Sequence, residues 1–125
     1  MTIKISADKT LKQISEEFSA KFPYLRLKFY SEAHAVGEKS SLWDTLNMSL
    51  PISEVGKFDH EEELHLDGHL KTATLEQEFQ RLYGIGLQVF RQDGKEWIQT
   101  SNTDHWTLAQ QNREGHADSI TGVNI

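Results

Sequence analysis

The chain has 125 residues, a formal net charge of -6 and no cysteine, which excludes disulfides, thiol nucleophiles and thiolate metal sites. Its length predicts one domain that buries roughly two-thirds of the surface exposed by the unfolded chain. The charge is uneven: residues 1–31 carry six Lys/Arg against three Asp/Glu, residues 32–67 two against nine, and residues 68–125 five against seven. That acidic middle argues against nucleic acid as a partner, because phosphate contacts need clustered cations, and it suits a basic protein surface or a cation.

No apolar run approaches the ~20 residues that cross a bilayer. The opening Met1-Thr2-Ile3-Lys4-Ile5-Ser6 lacks the apolar core of a signal peptide, so a cytoplasmic protein without membrane contact is expected. In that opening, Ile3 and Ile5 alternate with polar residues, the period of a half-buried strand. Thr10-Leu11-Lys12-Gln13 then reads as a capping box: the threonine hydroxyl accepts from a free amide, and the glutamine bonds back to the cap. Leu11, Ile14, Phe18 and Phe22 follow at helical steps, and Pro23 ends the helix. From Tyr24 to Tyr30, Leu25, Leu27 and Phe29 share one face of a strand, with Arg26 and Lys28 on the other.

The Thr-Leu-x-Gln signature recurs at Thr74–Gln77 and Thr107–Gln110, predicting two more helix starts. The unit after Thr74 echoes the first. Ile14, Phe18 and Phe22 match Leu75, Phe79 and Tyr83 at a spacing of 61, and Leu25, Leu27 and Phe29 match Ile85, Leu87 and Val89 at a spacing of 60. Either duplication or shared packing needs produce such a pattern. The caps, at Thr10 and Thr74, stand 64 apart, which predicts a first helix nearly one turn longer.

Asp93-Gly94 signals a hairpin. Zipped from that turn, Phe90 pairs with Trp97, Val89 with Ile98 and Arg91 with Glu96. Leu87, Val89 and Ile98 then face the core, and Phe90 and Trp97 form an aromatic patch opposite. A third helix, Leu108 to Glu114, is expected to stop at Gly115, with a loosely ordered tail from His116. Residues 32–63 read as an irregular acidic insertion, with a short helix around Leu42, Trp43 and Leu46 and an extended Leu50-Pro51-Ile52.

The densest group of potential ligands runs from Asp59 to His69. On a straight strand His65, Asp67 and His69 share one face, and with His60 they could hold a divalent metal. His65 and His69 would stand about 13 Å apart along such a strand, too far to meet on one ion. An Asp67-Gly68 turn would instead send them to different faces. An exposed polar face is the plainer reading. Nucleophile elbow, phosphate loop, His-Glu-x-x-His and dinucleotide fingerprints are missing. Gly84-Ile85-Gly86 leaves a helix for a strand, the reverse of a phosphate cradle. The sequence therefore leans away from an enzyme, and no catalytic residue is assigned. Trp106, beside a helix start, joins Phe90 and Trp97 as candidate partner contacts.

The stretch Trp97-Ile98-Gln99-Thr100, Asp104-His105-Trp106-Thr107-Leu108, Gln111-Asn112 and Gly115, after an Asp-Gly turn, resembles small bacterial proteins with no assigned activity, so the resemblance implies no function. The order of elements is similar to ferredoxin-like domains, a likeness of fold alone. The expectation is an α+β domain: one mostly antiparallel sheet, two helices on one face in a ferredoxin-like or β-grasp-like arrangement, and a short C-terminal helix. Its halves span about 1–31 and 64–101, with 102–125 as helix and tail. The leading functional expectation is a non-catalytic interaction module, binding a protein partner or itself through a strand edge or the Phe90/Trp97 face. The alternatives are metal binding at His60/His65/Asp67/His69 and a small-molecule pocket near Trp43.

Overall fold

The structure is a computed structural model that describes residues 1–31 and 45–123, the last six of these by main chain alone. In chain order it comprises β1 (Thr2–Ile5), α1 (Leu11–Lys21), β2 (Leu25–Tyr30), α2 (Ile52–Val55), β3 (Glu62–His65), α3 (Thr72–Tyr83), β4 (Gly86–Asp93), β5 (Glu96–Gln99), a 3-10 turn (Ser101–Thr103) and α4 (Leu108–Val123). This is an α+β protein in which every strand pairing among the described residues is antiparallel. The strands divide into two sheets where one was expected: β1 with β3, and β2-β4-β5.

The apolar stripes form the core. Ile14, Phe18, Leu75 and Phe79 are all buried, as are Leu25, Leu27 and Phe29 of β2 and Leu87 and Val89 of β4. Phe29 and Phe79 join the two halves with ring centroids 5.4 Å apart, within the range where tilted aromatic pairs attract. The helices also cover strand edges. Ser15 and Ser19, one turn apart on α1, donate to the outward carbonyls of Leu27 and Leu25. On α3, Glu76 accepts from the outward amide of Val89.

Two of the three expected capping boxes form. Thr10 and Gln13 close one, and Thr107 and Gln110 close the other. Thr74 does not cap α3, which starts two residues earlier with Lys71 as its N-cap. The reason is tertiary. The Thr72 and Ala73 amides donate to the Trp106 and Asp104 carbonyls, which starts the helix ahead of Thr74, at the place where Leu11 and Lys12 make the same bonds in α1. The caps at Thr10 and Lys71 then stand 61 apart, the spacing of the stripes, and the expected extra turn in α1 is absent.

That spacing runs through the main chain, which traces one path twice. Leu11 N–H donates to Leu50 and Lys12 N–H to Met48; Thr72 and Ala73, 61 residues on, donate to Trp106 and Asp104, which lie 56 beyond Leu50 and Met48. Ile52 donates to Lys9 and Ser53 to Ala7, as Leu108 does to Leu70 and Ala109 to Gly68. Tyr30 bridges Thr45 as Phe90 pairs with Gln99. Residues 45–55, expected to be irregular, therefore repeat the pairing of residues 99–111. Corresponding positions also meet across the sheets, with Ile3 opposite Leu64 and Lys28 opposite Gln88.

Two further expectations change. The hairpin turns at Gly94-Lys95, pairing Gln92 with Trp97, Arg91 with Ile98 and Phe90 with Gln99. Gly94, with φ of +64°, takes the first central position, where glycine fits a II′ turn. The shift is by two residues, so Phe90 and Trp97 keep a common face. Helix α4 also continues through Gly115 to Val123. A Cβ at Gly115 would stand 2.8 Å from Tyr24 Cβ and 3.1 Å from Arg91 Cγ. This glycine lets α4 close onto the sheet and does not end the helix.

Candidate functional site

Edge coverage locates the site. In the β1-β3 ladder, Leu66 N–H donates to Met1, so by antiparallel alternation Leu64 and Glu62 also bond toward β1. The main-chain groups of Glu63 and His65 then turn outward, and they have no backbone partner among the described residues. Beside this edge lies a groove of about 440 Å³, lined on one side by Glu62, Glu63, Leu64 and His65 and on the other by α3. Its apolar lining comes from Leu70, Leu75 and Leu82. Leu70 and Leu82 are only half-buried, packed against the margin of the core.

The first half shows what this groove would look like closed. Leu70 corresponds to Lys9, Glu78 to Glu17 and Leu82 to Lys21. Lys9 Nζ lies 2.6 Å from Glu17 Oε2, and its side chain is only 16% exposed. A salt bridge thus stands over α1 where the second half has Leu70 and Glu78, and Lys21 takes the place of Leu82. The fold tolerates lysine at both places, so the apolar lining beside β3 is not a requirement of the architecture.

The rim is acidic. Glu62, Glu63 and Glu78 line the groove with Arg81, three carboxylates against one guanidinium. Arg81 is already engaged by Glu78 on the next turn, and its hydrogen bond holds the Glu78 carboxyl below the usual carboxylate range. His60 Nε2 lies 2.7 Å from Glu62 Oε1. Burial pushes the Tyr83 hydroxyl up to about 12, with Glu62 adding to the rise.

The other sequence-derived candidates scatter. His65 lines the groove and also a neighbouring hollow of about 400 Å³ with Met1, Lys21 and Asp67. Asp67 accepts from the His69 amide at 2.7 Å and shapes the turn into α3. His60, His65, Asp67 and His69 are exposed. No group of three or more His, Asp or Glu gathers to hold a metal among the described residues. Phe90 is buried with Lys28 Nζ 5.0 Å from its ring centroid, and Trp97 is half-buried under Arg26 at 3.9 Å. Trp106 packs beside Arg91. Trp43, with the pocket expected near it, lies outside the described residues.

A second polar region is buried between α3, β4 and α4. Gln111 Nε2 donates to the Thr103 carbonyl at 2.7 Å, and Arg91 donates to Gln111 Oε1 at 2.8 Å. Asp104 is buried, and its Oδ2 has no hydrogen-bond partner among the described residues. Burial pushes the nearby Glu76 carboxyl up to about 7; the Val89 amide bonded to it pulls the other way, and Asp104 adds to the rise. Thr72, Asp104 and Gln111 correspond to Leu11, Met48 and Val55, apolar residues in the first half.

Sequence reasoning missed Leu70, Leu82 and Glu76. Glu76 had a signal: it stands one residue after Leu75 and three before Phe79, on the buried side of α3. Leu82 stands three residues after Phe79, and nothing local distinguishes a core leucine from one at a groove margin. No helix among the described residues is long and apolar enough to cross a membrane. No protein-family model matches the chain, and neither a curated protein nor a solved structure matches it.

Proposed function

We propose that the protein is an interaction module that takes an extended segment of a partner protein as an added strand on β3. The observation that carries this reading is the groove between β3 and α3, where outward main-chain groups stand beside half-buried leucines. Main-chain hydrogen bonds to Glu63 and His65 would supply affinity, and side chains seated against Leu70, Leu75 and Leu82 would supply selectivity. The first half supports the reading, because lysines occupy the places of Leu70 and Leu82 there.

His65→Pro tests it. Proline is tolerated where an edge-strand amide faces solvent, so the fold is expected to survive while strand addition loses a donor. Peptides selected from a random display library on the intact protein are expected to bind the variant at least tenfold more weakly by calorimetry. Equal binding to both proteins would sink the proposal.

A further inference from the structure

We infer that the added strand is a basic segment in which lysine or arginine alternates with apolar residues. This rests on the strand-addition reading and extends it to the partner's sequence. In an added strand, successive side chains point to opposite faces. One set would lie over Leu70, Leu75 and Leu82, whose surface rewards apolar groups. The other set would emerge on the face shared by Glu63 and His65, since these alternate with the buried Leu64.

The charge on that face selects the second set. Two carboxylates, Glu61 and Glu63, share it with one cation, Lys4, whereas Glu62 falls on the other face with Leu64. Glu63 forms no salt bridge among the described residues; Lys4, on the neighbouring strand, pairs instead with Glu61 at 3.3 Å. A lysine or arginine directly opposite Glu63 completes a cross-strand pair of opposite sign, whereas an acidic residue there is repelled. Residues 45–67, with six Asp/Glu against one Lys, extend the same preference to approach and orientation.

Three acetylated eight-residue peptides separate the outcomes: one alternating Lys and Val, one Thr and Val, one Glu and Val. Calorimetry at low salt is expected to rank Lys/Val at least tenfold above Thr/Val, with Glu/Val weakest. The advantage should shrink at 0.5 M salt, where screening acts within a few ångströms. Glu63→Lys is expected to erase the preference for Lys/Val and to improve Glu/Val. Equal, salt-independent binding of Lys/Val and Thr/Val, lost in His65→Pro, would overturn the charge inference and leave strand addition standing. Binding by none of the three, at concentrations where the library-selected peptides also fail, would overturn both. A dimer in sedimentation that His65→Pro dissolves would overturn the inference in favour of a second copy as the occupant.

Discussion

Glu76 is a carboxyl group placed where the chain's other half carries a serine, Ser15. Burial raises its pKa to about 7, while the unfolded chain releases the same proton near the ordinary value of 4.5. Between those values the folded state holds more protons than the unfolded state. Stability therefore falls as pH rises through that interval, and the full penalty is present above about pH 8. Its size is about 3 kcal/mol. Urea unfolding at several values between pH 5 and 8.5 is expected to show this loss, and Glu76→Gln should flatten it, because an amide keeps the acceptor for Val89 without the charge. An unchanged slope in the variant would show that another group is responsible.

At the scale of elements, α4 depends on close approach. Replacing a helical glycine by alanine ordinarily gains about 1 kcal/mol. At Gly115 the new methyl meets Tyr24 Cβ at 2.8 Å and the Tyr24 carbonyl at 3.1 Å, neither of them the far end of a flexible chain. Overpacking of this kind costs about 1–3 kcal/mol, so the steric effect wins. Gly115→Ala is expected to lower the melting temperature by several degrees; a higher one would mean that α4 is held less closely than its contacts indicate. The hairpin shows a similar override. Opposite-charge pairing of Arg91 with Glu96 favoured one register, yet Asp93 faces Glu96, because the II′ turn at Gly94 and the packing of Ile98 beside Arg91 outweigh an exposed ion pair.

At the scale of the whole molecule, the repeat supplies its own comparison. Every position in the β3-α3 groove has a counterpart beside β1, where Lys9 and Glu17 are bridged. Installing the counterparts as Leu70→Lys/Leu82→Lys tests whether the groove is an acquired feature of one half. The pair should keep cooperative unfolding, losing about 1 kcal/mol for each half-buried leucine, and should bind the selected peptides at least tenfold more weakly. Retained binding in a folded variant would mean that the lining plays no part. The polar cluster of Thr72, Asp104 and Gln111 poses the same contrast against Leu11, Met48 and Val55, and it shows that the architecture accepts an apolar interior at those places.

Periodicity alone determined the α+β class, the apolar stripes of α1 and α3, the inner faces of β2 and β4, and the caps at Thr10 and Thr107. Each of these depends on residues a few positions apart, whose directions follow from helix and strand geometry. Only the tertiary structure decided the division into two sheets, the start of α3 at Thr72 without a threonine cap, and the passage of α4 through Gly115. It also decided which strand edge stays uncovered among the described residues, and thereby made Leu70 and Leu82 a groove lining. These outcomes depend on contacts between residues roughly 30 to 90 positions apart, whose energy arises only once both partners are buried together.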